Sequence, residues 1–478
     1  MAIIKSDNLT EYEIIDELGK GGFGTVYEVR RISDGKKFAF KFFEQSDDAK
    51  MRLIHSNIKN NVSNLINRPI KYSDGTYLVG FVRPLEMVTN TSRKGFGYIM
   101  DFINLGDCAT IFRSWKDAEK FRPDALETCQ ICKAIAHVFD KIHASGRSYK
   151  DVSEGNLCFN LKEKKIYVMD CDNVGAGNIK TIFGTPKFIA PEVYDTGYPN
   201  SISDRYSMAV FFYRLMVGGY PLEGKKTVAY LVKNGLDADQ NFEAAYKIYN
   251  KEALFAFDEN DTSNSIQAPY DPIIPQEEIE TWKIQTFMWS LLPESIKKMF
   301  LRVFSENLKG DAKDRRPTET QWIDTFNDII NNGIVKCKCG RHNYLGNENC
   351  LFCGKKLPTA PQPKAVAKVI PENAVKYKVV SSKNSKEIYT DKLDGSEVSA
   401  VFNKGQIILE SVLFSGNKNM MKVKNQSGYR INITYPTGTN TYCVDSASAF
   451  LMIGSELEIE TSKSTIRLRV ECFNLKKS

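Results

Sequence analysis

No apolar run in this sequence approaches the roughly 20 residues needed to span a bilayer. The most hydrophobic stretch, Ser207 to Val217, is broken by Arg214, so no membrane-spanning helix is expected. The first residues, Met1-Ala2-Ile3-Ile4-Lys5-Ser6-Asp7, lack the basic segment, apolar stretch and small-residue cleavage site of a secretion signal. A long block of like charge is missing too. The 65 basic and 58 acidic residues, with a formal net charge of +7, are interspersed, which argues against nucleic acid or a membrane surface as partner. There is no internal repeat and no disulfide framework. Of eleven cysteines, four cluster between Cys337 and Cys353 and the rest are scattered, the pattern of a reducing compartment with one metal site. A cytoplasmic location is expected.

What is present suits a globular protein, with 42% hydrophobic and 26% charged residues over a length of 478 that calls for two or three domains. From Tyr12 to about Tyr98, β-branched and aromatic runs such as Thr25–Val29 and Lys37–Phe42 alternate with Gly and Asp turns, predicting a sheet-rich segment. From Ala125 onward apolar residues recur at helical spacing (Leu126, Ile131, Ile135, Val138, Phe139, Ile142), and Asp204–Met216 and Pro293–Phe304 continue the pattern. After the cysteines, Pro358-Thr359-Ala360-Pro361-Gln362-Pro363 reads as a semi-rigid linker. Beyond it, runs such as Gln406–Leu409, Tyr429–Ile433 and Ile466–Val470 predict a β-sandwich or barrel.

Chemistry enters with Leu18-Gly19-Lys20-Gly21-Gly22-Phe23-Gly24-Thr25-Val26, a G-x-G-x-x-G spacing between two strand patterns. That context favours a hairpin over phosphates rather than a dinucleotide fold, because Gly19, Gly21 and Gly24 let the backbone approach triphosphate oxygens. Lys41, in Ala39-Phe40-Lys41, needs a reason to lie on an otherwise apolar strand. Phosphate is one; a stem covering apolar surface with its head in water is the other. Tyr149-Lys150-Asp151-Val152-Ser153-Glu154-Gly155-Asn156 has a D-x-x-x-x-N spacing, in which Asp151 would accept a substrate hydroxyl proton and Asn156 would hold magnesium. Asp170, at the end of the apolar run Ile166–Met169, would bind the metal that bridges the phosphates.

With Gly184-Thr185-Pro186-Lys187-Phe188-Ile189-Ala190-Pro191-Glu192 added, the segment from Tyr12 to about Ile330 closely resembles eukaryotic-like (Hanks-type) Ser/Thr protein kinases. The resemblance implies an α+β fold of two lobes, residues 1–103 and 104–334; the cysteine spacing adds a zinc ribbon (335–357), the proline run a linker (358–375) and the strand pattern an all-β domain (376–478). It implies a buried ion pair between Arg316 and Glu192, and Asp204 bracing the catalytic loop. Met100 would guard the nucleotide pocket and the main chain of Asp101 and Phe102 would bind adenine, with Val26, Ala39 and Cys158 on the pocket faces and Asp107 near the ribose. ATP with Mg²⁺ or Mn²⁺ would be the cofactors and a protein Ser or Thr the acceptor. Leu254–Asn264, Leu291-Leu292-Pro293 and Arg316-Pro317-Thr318 are more narrowly similar to bacterial kinases of tellurium-resistance and stress gene clusters. That likeness implies a metal-dependent protein phosphatase and a von Willebrand A-type protein as partners.

Departures from the kinase pattern support a rival reading, a pseudokinase acting as a nucleotide-binding module or scaffold, against which Asp151, Asn156 and Asp170 argue. The helix expected to supply a glutamate to Lys41 reads Ile58-Lys59-Asn60-Asn61-Val62-Ser63-Asn64, with Asn61 nearest the expected place and no acid. Ser153 stands where Ser/Thr kinases have lysine, and Lys150 replaces an arginine without offering its planar fork. Asp172 replaces a glycine, as a second metal ligand or a solvated acid.

Cys337-Lys338-Cys339-Gly340 and Cys350-Leu351-Phe352-Cys353-Gly354 form two cysteine pairs about ten residues apart, a spacing suited to tetrahedral Zn²⁺. Four thiolates leave no open coordination position, so the expected role is structural, as a spacer or docking knob, with His342 a surface loop residue rather than a ligand.

Overall fold

The computed structural model describes residues 2–21, 24–44, 49–64, 70–71, 76–89, 94–171, 174–175 and 184–358, and beyond them 375–379, 386–390, 409–414, 420–425, 431–443, 448–452, 455–460 and 465–473. Chain contacts divide it into two units, Met1–Ala360 and Pro361–Ser478.

In the first unit, strands β1 (Ile3–Lys5), β2 (Glu11–Gly21), β3 (Gly24–Arg31) and β4 (Lys37–Glu44) precede helix α1 (Ala49–Asn64). Then come β5 (Ile70–Lys71), β6 (Leu78–Phe81), β7 (Glu86–Val88) and β8 (Gly95–Asp101). Six of these strands form one sheet in the order β1-β2-β3-β4-β8-β7. Alternation along β4 sorts its side chains. Phe38, Phe40 and Phe42 pack with Tyr12, Val29, Val88 and Ile99 on one face. Phe43, two residues from Lys41 and on the opposite face, packs with Ile54 and Ile58 of α1. The hairpin of β2 and β3 closes at Gly21 opposite Gly24. A side chain at Gly24 would meet the Phe42 carbonyl oxygen at 2.4 Å, so this position admits only glycine.

The helical lobe contains α2 (Ile111–Lys116), α3 (Ala118–Phe121), α4 (Ala125–Ala144), strands β9 (Leu157–Asn160) and β10 (Lys165–Val168), then α5 (Pro191–Thr196) and α6 (Ser201–Val217). It continues through α7 (Lys225–Asn234), α8 (Phe242–Tyr246), α9 (Gln276–Leu291), α10 (Glu294–Leu301) and α11 (Glu319–Asn332). Helix α4 begins with a reciprocal cap, Asp124 accepting from the Glu127 N–H while Glu127 accepts from the Asp124 N–H. Caps of the same kind start α6 (Asn200, Ser203) and α11 (Thr318, Gln321). Helix α6 is buried on nearly every side, its Phe212 meeting Trp322 and Phe326 and its Tyr213 meeting Phe300 and Phe304, as a helix apolar around most of its circumference must be. Strand β10 pairs in parallel with β6 and antiparallel with β9, tying the two lobes together.

The segment Leu254–Asn264 serves packing. Phe255 and Ala256 are buried, and the buried Asn264 amide donates to the Leu222 and Leu254 carbonyls at 3.0 and 2.7 Å while accepting from the Thr227 N–H at 3.1 Å.

The cysteine segment is not a free-standing knob. After α11 the chain forms β11 (Ile334–Lys336) paired with β12 (His342–Tyr344), and Tyr344 is buried in the core of the helical lobe. His342 lies on β12, half-buried, not on a surface loop, because its ring and its N–H both bond Asp124.

The second unit holds β13 (Val375–Val379), β14 (Lys386–Thr390), β15 (Leu409–Phe414), β16 (Met420–Asn425), β17 (Ile431–Thr434), β18 (Asn440–Cys443), β19 (Ser448–Met452), β20 (Glu456–Glu460) and β21 (Thr465–Phe473). Among the described residues they form two antiparallel sheets, ordered β14-β13-β21-β20-β17-β18 and β15-β16-β19, rather than one closed barrel. Residues 406–408 and 429–430 lie outside the described residues. Ile431, Ile433, Cys443 and Leu457 are buried, and Glu456 and Glu458 stand at the register positions opposite Arg469 and Arg467.

Candidate active site

A cavity of about 610 Å³ opens between the lobes, lined by Leu18, Gly19, Lys20, Val26, Ala39, Lys41, Val82, Tyr98, Met100, Asp101, Phe102, Ile103, Leu105, Gly155, Met169 and Asp170. Its size and mainly apolar walls suit a nucleotide. Gly19, Val26, Ala39, Lys41, Met100, Asp101, Phe102 and Asp170 thus stand where the sequence predicted them. Leu18, Lys20, Val82, Tyr98, Leu105, Gly155 and Met169 were missed; Lys20, a second cation on the cavity wall, was legible as the residue inside the glycine spacing. Four residues expected at the nucleotide do not line the cavity. Gly21 and Gly24 sit at the closed end of the β2–β3 hairpin. Cys158 is fully buried on β9, its thiol hydrogen-bonded to Cys108, where the bridge between Ala109 and Phe159 brings the two segments together. Asp107 is exposed on the turn Leu105–Asp107 and takes a hydrogen bond from Asn104 at 2.8 Å.

Lys41 is ion-paired with Asp170. Helix α1 contains no acid from Ala49 to Asn64, and the carboxylate that meets Lys41 is that of Asp170; the Asn61 side chain and Asp172 lie outside the described residues. Asp170 has φ 51° and Lys150 φ 72°, left-handed conformations that cost non-glycine residues roughly 1 kcal/mol or more and concentrate at functional sites.

The catalytic loop is held by backbone groups. Asp204 accepts the Tyr149 and Lys150 N–H groups at 2.6 and 2.9 Å, the bracing expected of it. Asn156 donates its amide to the Asp151 carbonyl at 2.9 Å, and its own carbonyl accepts from the Met169 N–H at 2.8 Å. Asn156 is thereby fixed between the loop of Asp151 and the strand end before Asp170. Burial pushes the Asp151 carboxyl up to about 6, and the Asp170 charge adds to this, against Lys41 and Asn156. A carboxylate poised near neutrality can take a hydroxyl proton. Lys150 is buried, and burial lowers its pKa against the pull of Asp204.

His143, in the last turn of α4, bonds Glu319 through Nδ1 at 2.9 Å and Asp204 through Nε2 at 3.1 Å. Burial disfavours its charge, but the two carboxylates overcome this and raise its pKa from 6.5 to about 9. A raised histidine stabilises the fold fully below pH 6.5 and loses that contribution as pH climbs through 9. The unfolding free energy from urea titrations should therefore fall between pH 7 and 9.5, by an amount on the order of 2–3 kcal/mol. His143→Gln should flatten the profile; an unchanged slope would contradict the assignment.

Arg316 is fully buried and forks onto Glu192 at 2.7 and 2.8 Å, as the resemblance implied. The sulfurs of Cys337, Cys339, Cys350 and Cys353 all lie within 4.8 Å of one another, with Cys337–Cys353 at 3.6 Å and Cys339–Cys350 at 3.7 Å. Those separations exceed a disulfide bond and match the edge, about 3.8 Å, of a tetrahedron with metal–sulfur bonds of about 2.3 Å.

A protein kinase domain model matches residues 12–321. The chain belongs to the protein kinase family. This kinase is similar to the cAMP-dependent protein kinase type 3 of Saccharomyces cerevisiae, 24% identical over 242 residues that cover 49% of this chain and 55% of the yeast protein. It is also similar to the RAC family serine/threonine-protein kinase homolog of Dictyostelium discoideum, at 26% over 225 residues, 44% and 45% of the two chains. Protein kinase 3 of the same organism is 26% identical over 232 residues, 46% of this kinase and 24% of the relative. The match thus spans about half or less of the length of these curated relatives. No helix among the described residues is long and apolar enough to cross a membrane.

Proposed function

We propose that this kinase transfers the γ-phosphate of ATP to Ser or Thr hydroxyls of a protein substrate. The observation that carries the reading is Asp151, its pKa raised to about 6, on the loop beside a cavity whose wall holds the Lys41–Asp170 pair. Main-chain groups of Asp101 and Phe102 would take the adenine, Lys41 the α- and β-phosphates, and Asn156 with Asp170 a Mg²⁺ or Mn²⁺ ion. Bound there, the divalent ion would neutralise charge on the phosphates. Asp151 would orient the acceptor hydroxyl and take its proton. The test is label transfer from γ-labelled ATP to protein, followed by phosphoamino-acid analysis. Phosphotyrosine alone would overturn the acceptor class.

A pseudokinase reading draws on the acid-free α1 and on Ser153. It expects nucleotide binding without transfer in the same assay. Lys41→Met separates the two contributions of the cavity: KM for ATP should rise about tenfold or kcat fall by a similar factor, and unchanged values for both would remove Lys41 from the site.

The four thiols would hold one structural Zn²⁺, all positions being filled by cysteine. The Asn343 amide, 3.4 Å from the Cys350 sulfur, fits as a donor to a zinc-bound thiolate. Cysteines among the described residues form no disulfides, in keeping with a reducing cytoplasm. The phosphatase and von Willebrand A-type partners implied by the likeness to tellurium-resistance kinases find no support in the relatives above, and substrates remain open on this reading.

A further inference from the structure

The cysteine segment has almost no core of its own. Only Cys337, Cys350 and Leu357 are buried together, with Val335 and Phe352 against them, too little to fold without cross-links or metal. Yet it reaches three helix ends of the catalytic lobe. The His342 N–H and Nδ1 meet Asp124 Oδ2 at 2.9 and 2.8 Å, and the other oxygen of the same carboxylate caps α4 at Glu127 N–H, 3.0 Å. Arg341 donates to the Arg122 carbonyl at 3.0 Å and stacks its guanidinium 4.1 Å over the Phe352 ring. The Leu345 N–H bonds Gly333, just past α11, at 2.8 Å, and Asn347 reaches the last carbonyl of α9 at 3.4 Å. Tyr344 is buried beside Cys129 of α4.

Helix α4 is a single rod of 20 residues, about 30 Å long at 1.5 Å per residue. Its far end carries His143, which holds Asp204, which in turn holds the backbone immediately before Asp151. One end of the rod is thus fastened to the metal segment and the other to the catalytic loop.

We propose that the four-cysteine segment is an internal brace of the catalytic lobe, so that metal occupancy at Cys337, Cys339, Cys350 and Cys353 sets the stability of the lobe through the Asp124 end of α4. This rests on the zinc reading above. Without metal the segment loses its fold, β12 leaves Asp124 and Cys129, and α4 keeps its cap but loses the strand packed on it.

The lobe reports on itself, since all four tryptophans, Trp115, Trp282, Trp289 and Trp322, lie in it and none in the cysteine segment. The experiment is metal analysis of the full chain, then thermal unfolding followed by tryptophan fluorescence before and after a strong zinc chelator, with zinc added back. The expected result is one zinc per chain and a midpoint lowered by roughly 5–10 °C on chelation, restored by zinc. His342→Ala should keep the zinc, show a lower midpoint than the parent, and respond less to chelation. Zinc present but a tryptophan midpoint unmoved by its removal would overturn the brace and leave the zinc site standing. Absence of stoichiometric metal in protein purified without chelator would overturn the zinc reading itself. Cys353→Ser, an exposed ligand position, gives the same readout without chelator and should match the chelated parent; a midpoint equal to that of the zinc-loaded parent would count against the brace.

Discussion

Asp151→Asn should lower phosphoryl transfer by about 10³-fold, within the usual range for a positioned acid–base group, while ATP affinity and the unfolding midpoint stay close to the parent. The substitution keeps shape and hydrogen-bonding capacity on a loop fixed by Asn156 and Asp204, so the change falls on proton acceptance. In the parent, kcat/KM should rise with pH through about 6, because the carboxyl must be ionised to act as base and burial holds its pKa there. Asp170→Ala should be equally inactive but should weaken metal-dependent nucleotide binding as well. Full activity in the Asp151 variant, or a rate flat across pH 5 to 7.5, would sink the assignment.

Arg316→Met should cost about 3–5 kcal/mol of stability, the range for removing one partner of a buried ion pair. The guanidinium is saturated: besides the fork on Glu192 it donates to the carbonyls of Asn307, Leu308 and Ile202 at 3.1, 2.8 and 3.3 Å. Methionine fills the volume and strands Glu192 and three carbonyls without their donor. Because Glu192 opens α5 and Ile202 lies in the first turn of α6, the loss should also loosen the end of the segment that leads from Gly184 to Glu192. Arg316→Lys should recover only part of the stability, since an ammonium cannot fork. Denaturant unfolding of the three proteins measures this, and a methionine variant within 1 kcal/mol of the parent would contradict the view of this pair as a structural clasp.

The motifs carried most of the site because their chemistry is local. Asp151 and Asn156 are five residues apart on one loop, and Gly21 and Gly24 face each other across one hairpin, so spacing pointed to both, though not to the Phe42 carbonyl that excludes a side chain at Gly24. Burial and long-range pairing were less legible. Nothing near Lys41 in sequence points to Asp170 as its ion partner, and the side of β9 that Cys158 occupies depends on the bridge to Ala109. The cysteine spacing gave the four-thiol cluster, but its seat on the lobe depends on His342 meeting Asp124 and Tyr344 meeting Cys129, contacts more than 200 residues apart in the chain. The family match bears on residues 12–321; the second unit follows its alternating pattern into two sheets, and its chemistry stays unread because strand periodicity encodes a buried face and no site.

Asn264 and Gly224 also bear on how this lobe can change over generations. A side chain at Gly224 would come within 1.6 Å of the Asn264 carbonyl oxygen, while the Asn264 amide fastens three backbone groups around it. Because the atom met is main chain, no choice of side chain at position 264 makes room for one at 224. Bulk at 224 is open only to a lobe whose backbone has moved there, and that movement would pull the Asn264 amide off the groups it fastens.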